Sequence, residues 1–374
     1  METSITTLVE AFADIRDFRL DRKKEHALID IIVIAVVSFM CGGAGWTDCE
    51  LIGRAKETFF RRFLGLQNGI PSHDTFNRVF RFLNPHELDS CFAAWVAAAF
   101  GSNTTRYIAF DGKTMRHSYD AQTAHDALRK IGAWSVDHGL VLGQWDIPEE
   151  SNEIPALRMA LDVIDIAGCE LTADAAHCQI ETAQTTIDHG GDYTFTVKKN
   201  QDHLHDDIEA TFEALKPILI PYETVEKAHG RIEIRHYWTT TDLNRLRTRD
   251  KWAHLRSIGM VESERHINGK VQHDVRYYIR SRVTDTETFS TTVRRHWSIE
   301  NNLHWVLDMT MDEDRSRIRK DHGAKNAAVL RRIALNLVKQ DTTTKMSVRA
   351  RRLYAAWNES YIEKILHIAA NTKE

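Results

Sequence analysis

The 374-residue chain is predicted to be an α/β protein with an α-helical N-terminal region, a mixed core carrying a β-rich insertion, and a basic helical tail. Three observations lead there. Residues 1–100 place apolar side chains at helical spacing. From Tyr107 the period shortens to alternation, in runs interleaved with helical segments. From Arg315 onward the pattern is helical again and rich in Lys and Arg.

Within the first hundred residues, the apolar segment 27–39 predicts a buried helix, too short and too interrupted by Asp30 to span a bilayer. Cys41-Gly42-Gly43-Ala44-Gly45 should stop it. A second helix is expected at about 48–63. Ser72 is an N-cap for a third, HDTFNRVFRFL. Asn84-Pro85-His86-Glu87 opens a fourth, with a cap, a proline at the first helical position and a Glu at the third. Arg61, Arg62, Arg78 and Arg81 lie between aromatics and are expected to face DNA, with a packing domain bearing solvated arginines as the alternative.

The core begins with RYIAFDGKTM, a strand expected to carry Asp111 at or near its end. KIGAWSV and LVLGQWDIP flank Asp137-His138-Gly139, a hairpin signal. Ser151-Asn152-Glu153 caps a helix expected to reach about residue 167, CELTADA is a buried strand ending on Asp174, HCQIETAQTTIDHGG a helix, and DYTFTVKKN a strand. A helix at 202–215 precedes the mostly β region 222–283, where Asn268-Gly269 is a second hairpin turn. Then comes a helix expected over 288–310; in the stretch VRRHWSIENNLHWVLDMTMDEDRSRIRK, residues 293–320, it sets Trp297, Glu300, Leu303, His304, Leu307 and Asp308 on one face. Glu300 would there point among apolar neighbours, with His296 one turn before and His304 one turn after; pairing to Arg294 or Arg295 is the plainer reading.

Composition sets the bounds. Apolar content of 43% and charged content of 27% describe an ordinary soluble protein. No apolar run follows a basic start, so no secretory signal is expected and the location should be cytoplasmic. Cysteines 41, 49, 91, 169 and 178 lack CxxC spacing and should be reduced thiols. His203-x-His205 and Asp174-x-x-His177-Cys178 are too sparse for zinc, and Gly139-Leu-Val-Leu-Gly143 is too sparse for a nucleotide loop. Net charge is −4, yet residues 315–352 hold twelve Lys or Arg against two Asp, leaving about −14 for the rest. Such a run is usually a solvated face; beside an acidic site it suits phosphate contacts, with Arg315, Arg317, Arg319 and Lys320 nearest. Asp312-Glu313-Asp314 should be solvated or paired with those arginines.

Asp111 and Asp174 at strand tips, with Glu300 from a packing helix, can converge. Such carboxylates repel unless they hold protons or hard divalent cations. Two Mg²⁺ ions at about 3.5–4 Å can activate a water or 3′-hydroxyl and stabilise the leaving oxygen of a phosphodiester. Asp308, two turns after Glu300, is the alternative third acid.

Three segments give this a family. IAFDGKTMR, ELTADAAHCQ with GGDYTFTVKKNQ, and HWSIENNLHWVLDMTMDEDRSRIR resemble the three acid motifs of bacterial insertion-sequence DDE transposases, in the H-repeat-associated (ISAs-type) form. GWTDCELIGR and FLGLQNGIPSHDTFNRVFRFLNP resemble that branch's amino-terminal associated domain. The wider signature has Tyr, Arg and Lys where this chain has Val293, His296 and Leu307. The resemblance implies a helical domain at 1–100 and a ribonuclease-H-like catalytic domain at 105–374, with the β-rich insertion at 222–283 and the basic tail at 315–374. It implies Asp111, Asp174 and Glu300 as catalytic, metal-binding acids for Mg²⁺ (or Mn²⁺), supported by His296, Asn301 and His304. It places Lys198, Lys199 and Gln201 near the DNA path. The partners implied are double-stranded DNA, as transposon ends and target, and a second copy in a synaptic homodimer, without a membrane. Two alternatives share these residues: a nuclease of the same fold that does not transfer strands, and a descendant that only binds DNA.

Overall fold

The computed structural model describes residues 3–100, 105–119, 127–148, 150, 152–228 and 230–371. Six helices come first: α1 Thr3–Ala13, α2 Leu28–Met40, α3 Trp46–Ala55, α4 Glu57–Phe60, α5 His73–Phe82 and α6 Pro85–Phe100. Because α2 is apolar on every face, it is buried over nearly its whole length. Its one carboxylate, Asp30, is satisfied by the Leu66 amide at 3.2 Å. Ser72 caps α5 through the Thr75 amide. The single helix expected at 48–63 is two, because the backbone leaves helical geometry at Lys56.

The strands and helices that follow are β1 Tyr107–Thr114, β2 Arg129–Ser135, β3 Leu140–Ile147, α7 Glu153–Leu161, β4 Glu170–Ala173, α8 Ile180–Asp188, β5 Asp192–Val197 and α9 Asp202–Leu215. Then come β6 Tyr222–Ala228, β7 Arg231–Thr240, β8 Ser257–Ile267 and β9 Lys270–Arg280. All nine strands form one mixed sheet in the order β3-β2-β1-β4-β5-β9-β8-β7-β6. β1, β4 and β5 run parallel, flanked by antiparallel β2 and β9. Gly139 turns the first hairpin at φ +65; Asn268 and Gly269 turn the second at φ +49 and +76, the double left-handed geometry of a type I′ turn. The segment 222–283 builds no sheet of its own. β9 pairs with β5 from Thr194↔Arg280 to Val197↔Tyr277, so these strands carry the central sheet outward. α7 stops at Leu161, short of residue 167, and the chain folds back to bury Ile166 before Gly168 turns at φ +74.

Side-chain alternation sorts the two faces. Ile108, Phe110, Leu171 and Ala173 pack with α7, α8 and α9. Ala109, Trp134 and Val141 face a larger cluster containing the N-terminal helices.

Next comes α10 Thr286–His296, whose Phe289 and Val293 pack with Tyr237, Val261 and Tyr278 of β7–β9 in a small cluster of their own. The larger cluster is completed by a π-helical turn Glu300–His304, α11 Trp305–Met309, α12 Gly323–Lys339, α13 Val348–Trp357 and α14 Glu359–Asn371. The helix predicted over 288–310 does end at Met309, but it is broken at Trp297 and widened at 300–304. Beyond it Asp312 takes φ +52, and Glu313 turns into the interior to meet Arg332 at 2.8 Å, so that part of the acidic run is not solvated.

Helix α12 is the axis of this side, with fifteen of its seventeen residues buried. Asn326 donates to the Phe80 and Leu83 carbonyls at the end of α5, and Asn336 exchanges two 2.9 Å bonds with the backbone of Val141 on edge strand β3. The basic run divides accordingly. Arg331, Arg332 and Arg352 are core residues, whereas Arg315, Arg317 and Lys320 are exposed. All five cysteines are free thiols. Among the described residues no helix is long and apolar enough to cross a membrane.

Candidate active site

β1 runs beside β4 only as far as Phe110↔Ala173. The next two residues are Asp111 and Asp174, so the register sets them side by side where β4 ends. β1 itself continues against β2 to Thr114, so Asp111 lies within its strand and only Asp174 stands at a strand tip. Opposite Asp111 on β2 is Gly132, and a Cβ there would lie 3.7 Å from Leu303. The π-helical turn thus lies over the sheet beside Asp111.

That turn supplies the rest of one cluster. His304 Nδ1 is 3.1 Å from Glu300 Oε2 and 3.5 Å from Asp111 Oδ2. Asp111, Glu300 and His304 each offer a donor atom within 4.8 Å of the others. Burial pushes the Asp111 carboxyl up to about 6; the Asp174 and Glu300 charges push the same way, against His304. Glu300 is 57% exposed, not packed among apolar side chains, and the His304 hydrogen bond lowers its pKa. Neither neighbouring arginine pairs with it: Arg294 meets Glu226, and Arg295 lies over the Tyr107 ring.

Asp174 stands in a second cluster. Its Oδ1 accepts from the Ala176 amide at 3.1 Å and lies 4.0 Å from His177 Nε2, which is 3.3 Å from Glu153 Oε2. Asp174, Glu153 and His177 again offer donors within 4.8 Å. The three predicted acids therefore adjoin without closing into one cage of ligand atoms. Glu153 and His177 escape a sequence reading that accounts for Glu153 as a cap-proximal acid and sets Asp174-x-x-His177 aside as incomplete for zinc.

The remaining predicted residues fall at graded distances. His296 hydrogen-bonds Thr172 Oγ1 on β4 at 3.1 Å, and burial pushes its pKa down to about 4. Asn301 is exposed. Lys198 and Lys199 are exposed just past the end of β5, while Gln201 donates to the Cys178 carbonyl at 3.0 Å and so braces the turn that follows Asp174. Asp308 is held by Lys113, which occupies the position a cation would need. Arg319 bonds the His117 carbonyl and stacks on Tyr119, which lays the loop 312–320 with exposed Arg315, Arg317 and Lys320 against the end of β1, next to exposed Arg116. In the N-terminal helices Arg61 is paired with Glu57, Arg62 with Glu359 and Glu363, and Arg81 with Asp321; Arg78 is exposed. Paired arginines have less to offer a phosphate. Of the histidine groupings, His205 clusters with Asp206 and Glu209.

The family profile described as the transposase DDE domain matches residues 102–337, and the profile of its associated N-terminal region matches 9–96. The chain belongs to the DDE transposase family. Within it, the chain is 36% identical to the "H repeat-associated putative transposase YhhI" of Escherichia coli K12 over 96% of its own length and 97% of that protein. YbfL of the same strain is also 36% identical over the same shares, and YncI of E. coli O157:H7 is 32% identical over 97% and 95%. Among solved structures the piggyBac transposase synaptic complex with hairpin DNA aligns over 98% of this chain and 78% of that one, at 10% identity and a TM-score of 0.41, too remote a likeness to bear on this fold.

Proposed function

We propose that this transposase-family chain cleaves DNA at the terminal inverted repeats of an insertion sequence and joins the freed ends to target DNA. Asp111, Asp174 and Glu300 would be its catalytic acids, and Mg²⁺, or Mn²⁺ in its place, the cofactor. The observation that supports the reading is the β1–β4 register, which brings Asp111 and Asp174 to adjoining positions, with Glu300 joined to Asp111 through His304. The order β3-β2-β1-β4-β5, in which β2 alone is reversed, supports a ribonuclease-H-like core.

The donor set fits a divalent cation. Carboxylate oxygens suit Mg²⁺ and Mn²⁺, and the Asp111 carboxyl, raised by burial first and by the Asp174 and Glu300 charges second, is one whose ionised form a cation would stabilise. When bound, the metal supplies positive charge that lowers the pKa of an attacking water or 3′-hydroxyl and steadies the leaving oxygen. The chain's own part is placement. Asp111 is fixed within β1 and Asp174 just past β4, and His304 holds Glu300 toward Asp111. Lys198 and Lys199 on one side, with Arg116, Arg315, Arg317 and Lys320 on the other, offer exposed charge to a phosphate backbone. Water would attack first at the element's end, and the freed 3′-hydroxyl would then attack the target in line. Two ends must be joined, which favours a dimer on DNA.

The test is cleavage in Mg²⁺ of a labelled duplex carrying the element's terminal repeats. The wild type is expected to nick at the repeat boundary, and Glu300→Gln to lose at least about a hundredfold in rate while still binding. Binding without cleavage by the wild type would instead point to a protein that only binds DNA. Cleavage surviving in the variant would remove Glu300 from the site.

A further inference from the structure

We infer that Glu153 and His177 complete a second cation subsite around Asp174, separate from the one formed by Asp111, Glu300 and His304. This deepens the metal-dependent reading above and rests on it.

Four observations converge. The donors of Glu153, Asp174 and His177 lie within 4.8 Å of one another, with the imidazole Nε2 facing both carboxylates, at 3.3 and 4.0 Å. His177 is wholly buried: Nδ1 has no partner, and Nε2 has only its 3.3 Å contact with Glu153, which lowers that carboxyl but falls short of good hydrogen-bond geometry. A buried imidazole left so is costly, and a ligand between it and the carboxylates would satisfy it. The backbone makes room for the carboxylate: a Cβ on Gly112 would stand 2.5 Å from the Glu153 carboxyl atoms, so only glycine after Asp111 lets Glu153 lie there. The turn bearing His177 is fixed from the β5 side, where Asn200 donates to the Ala175 carbonyl at 2.8 Å and Gln201 to the Cys178 carbonyl at 3.0 Å.

Strand alternation puts Glu300 and Glu153 on opposite sides of β1, because Asp111 turns toward the first and Gly112 toward the second. Asp174 follows the last β1–β4 pair as Asp111 does, and its charge reaches Asp111, so the two subsites adjoin there. Each has two carboxylates and one imidazole. Mg²⁺ and Mn²⁺ both favour the carboxylate oxygens, and of the two Mn²⁺ accepts an imidazole beside them more readily.

The test is Mn²⁺ titration of the full chain without DNA, followed by calorimetry and by loss of the free-ion paramagnetic resonance signal. The wild type is expected to bind two ions. Glu153→Gln and Gly112→Ala should each weaken one of them at least about tenfold, and Glu300→Gln should weaken the other. His177→Gln should act like Glu153→Gln, with thermal melting checking that each variant folds. Two ions bound with unchanged affinity in Glu153→Gln and Gly112→Ala would overturn the inference and leave Glu153–His177 a structural pair. One ion in the wild type would overturn it too, while leaving the metal-dependent reading standing. No ion in the wild type would remove both.

Discussion

Asp111 is the residue where fold and function pull against each other. Its folded-state pKa of about 6 lies above the 3.8 of a free carboxyl, so the folded protein holds that proton more tightly than the unfolded chain. Stability therefore falls as pH rises from about 4 through about 6, and above that the full cost is present, on the order of 2–3 kcal/mol. Asp111→Asn should remove the cost: at pH 8 without metal it should melt higher than the wild type, with the gap closing toward pH 4. Mn²⁺ should raise the wild-type melting temperature more than that of the variant. Equal melting of the two proteins across this range would mean that the carboxyl carries no such strain. The sequence brings a reader as far as Asp111 and Asp174, because an acid that closes a short apolar run is a local pattern. It does not lead to Glu153, whose contact with Gly112 depends on how α7 is laid across the sheet.

Among the elements, the segment from 297 to 320 departs furthest from its periodicity. A spacing of three and four residues cannot tell an α-turn from a π-turn over five positions, yet the wider turn sets where Glu300 and His304 point. The loop beyond it is fixed by burial, since Glu313 and Arg332 meet with side chains 0% and 4% exposed. Charge counting reads such residues as surface, having no view of what covers them. Removing one partner leaves the other charged and buried, so Glu313→Leu should destabilise the protein by about 3–5 kcal/mol. Glu313→Leu with Arg332→Met should recover much of that loss. Denaturant midpoints for the two variants check this, and equal midpoints would show that the pair is not coupled.

For the molecule as a whole, the N-terminal helices have no core of their own. Leu8, Phe12, α2 and Phe92 share one apolar cluster with Ala327–Val338 of α12 and with Ile362, Ile365 and Leu366 of α14. Residues 1–100 alone should thus show no cooperative thermal transition, whereas in the full chain near-ultraviolet and far-ultraviolet signals should fall together; a sharp melt of the isolated segment would contradict this. The order of elements was legible from local period and turn chemistry. The union of the two chain ends was not, because it depends on contacts between residues some three hundred positions apart, such as Arg62 with Glu363.

The sheet also bears on distance. Beyond its last pair with β5, β9 continues for residues 270–276, about 23 Å at 3.3 Å per residue. β8 and β7 run alongside it to the Asn268-Gly269 tip. This four-stranded arm is continuous, through β5, with the strands that hold the acids, so its reach from them is set by strand length, as on a ruler. Its graduations are set by the pleat: adding one residue per strand would turn every side chain beyond it to the opposite face. The arm can lengthen with its faces preserved only in steps of two residues, about 7 Å each.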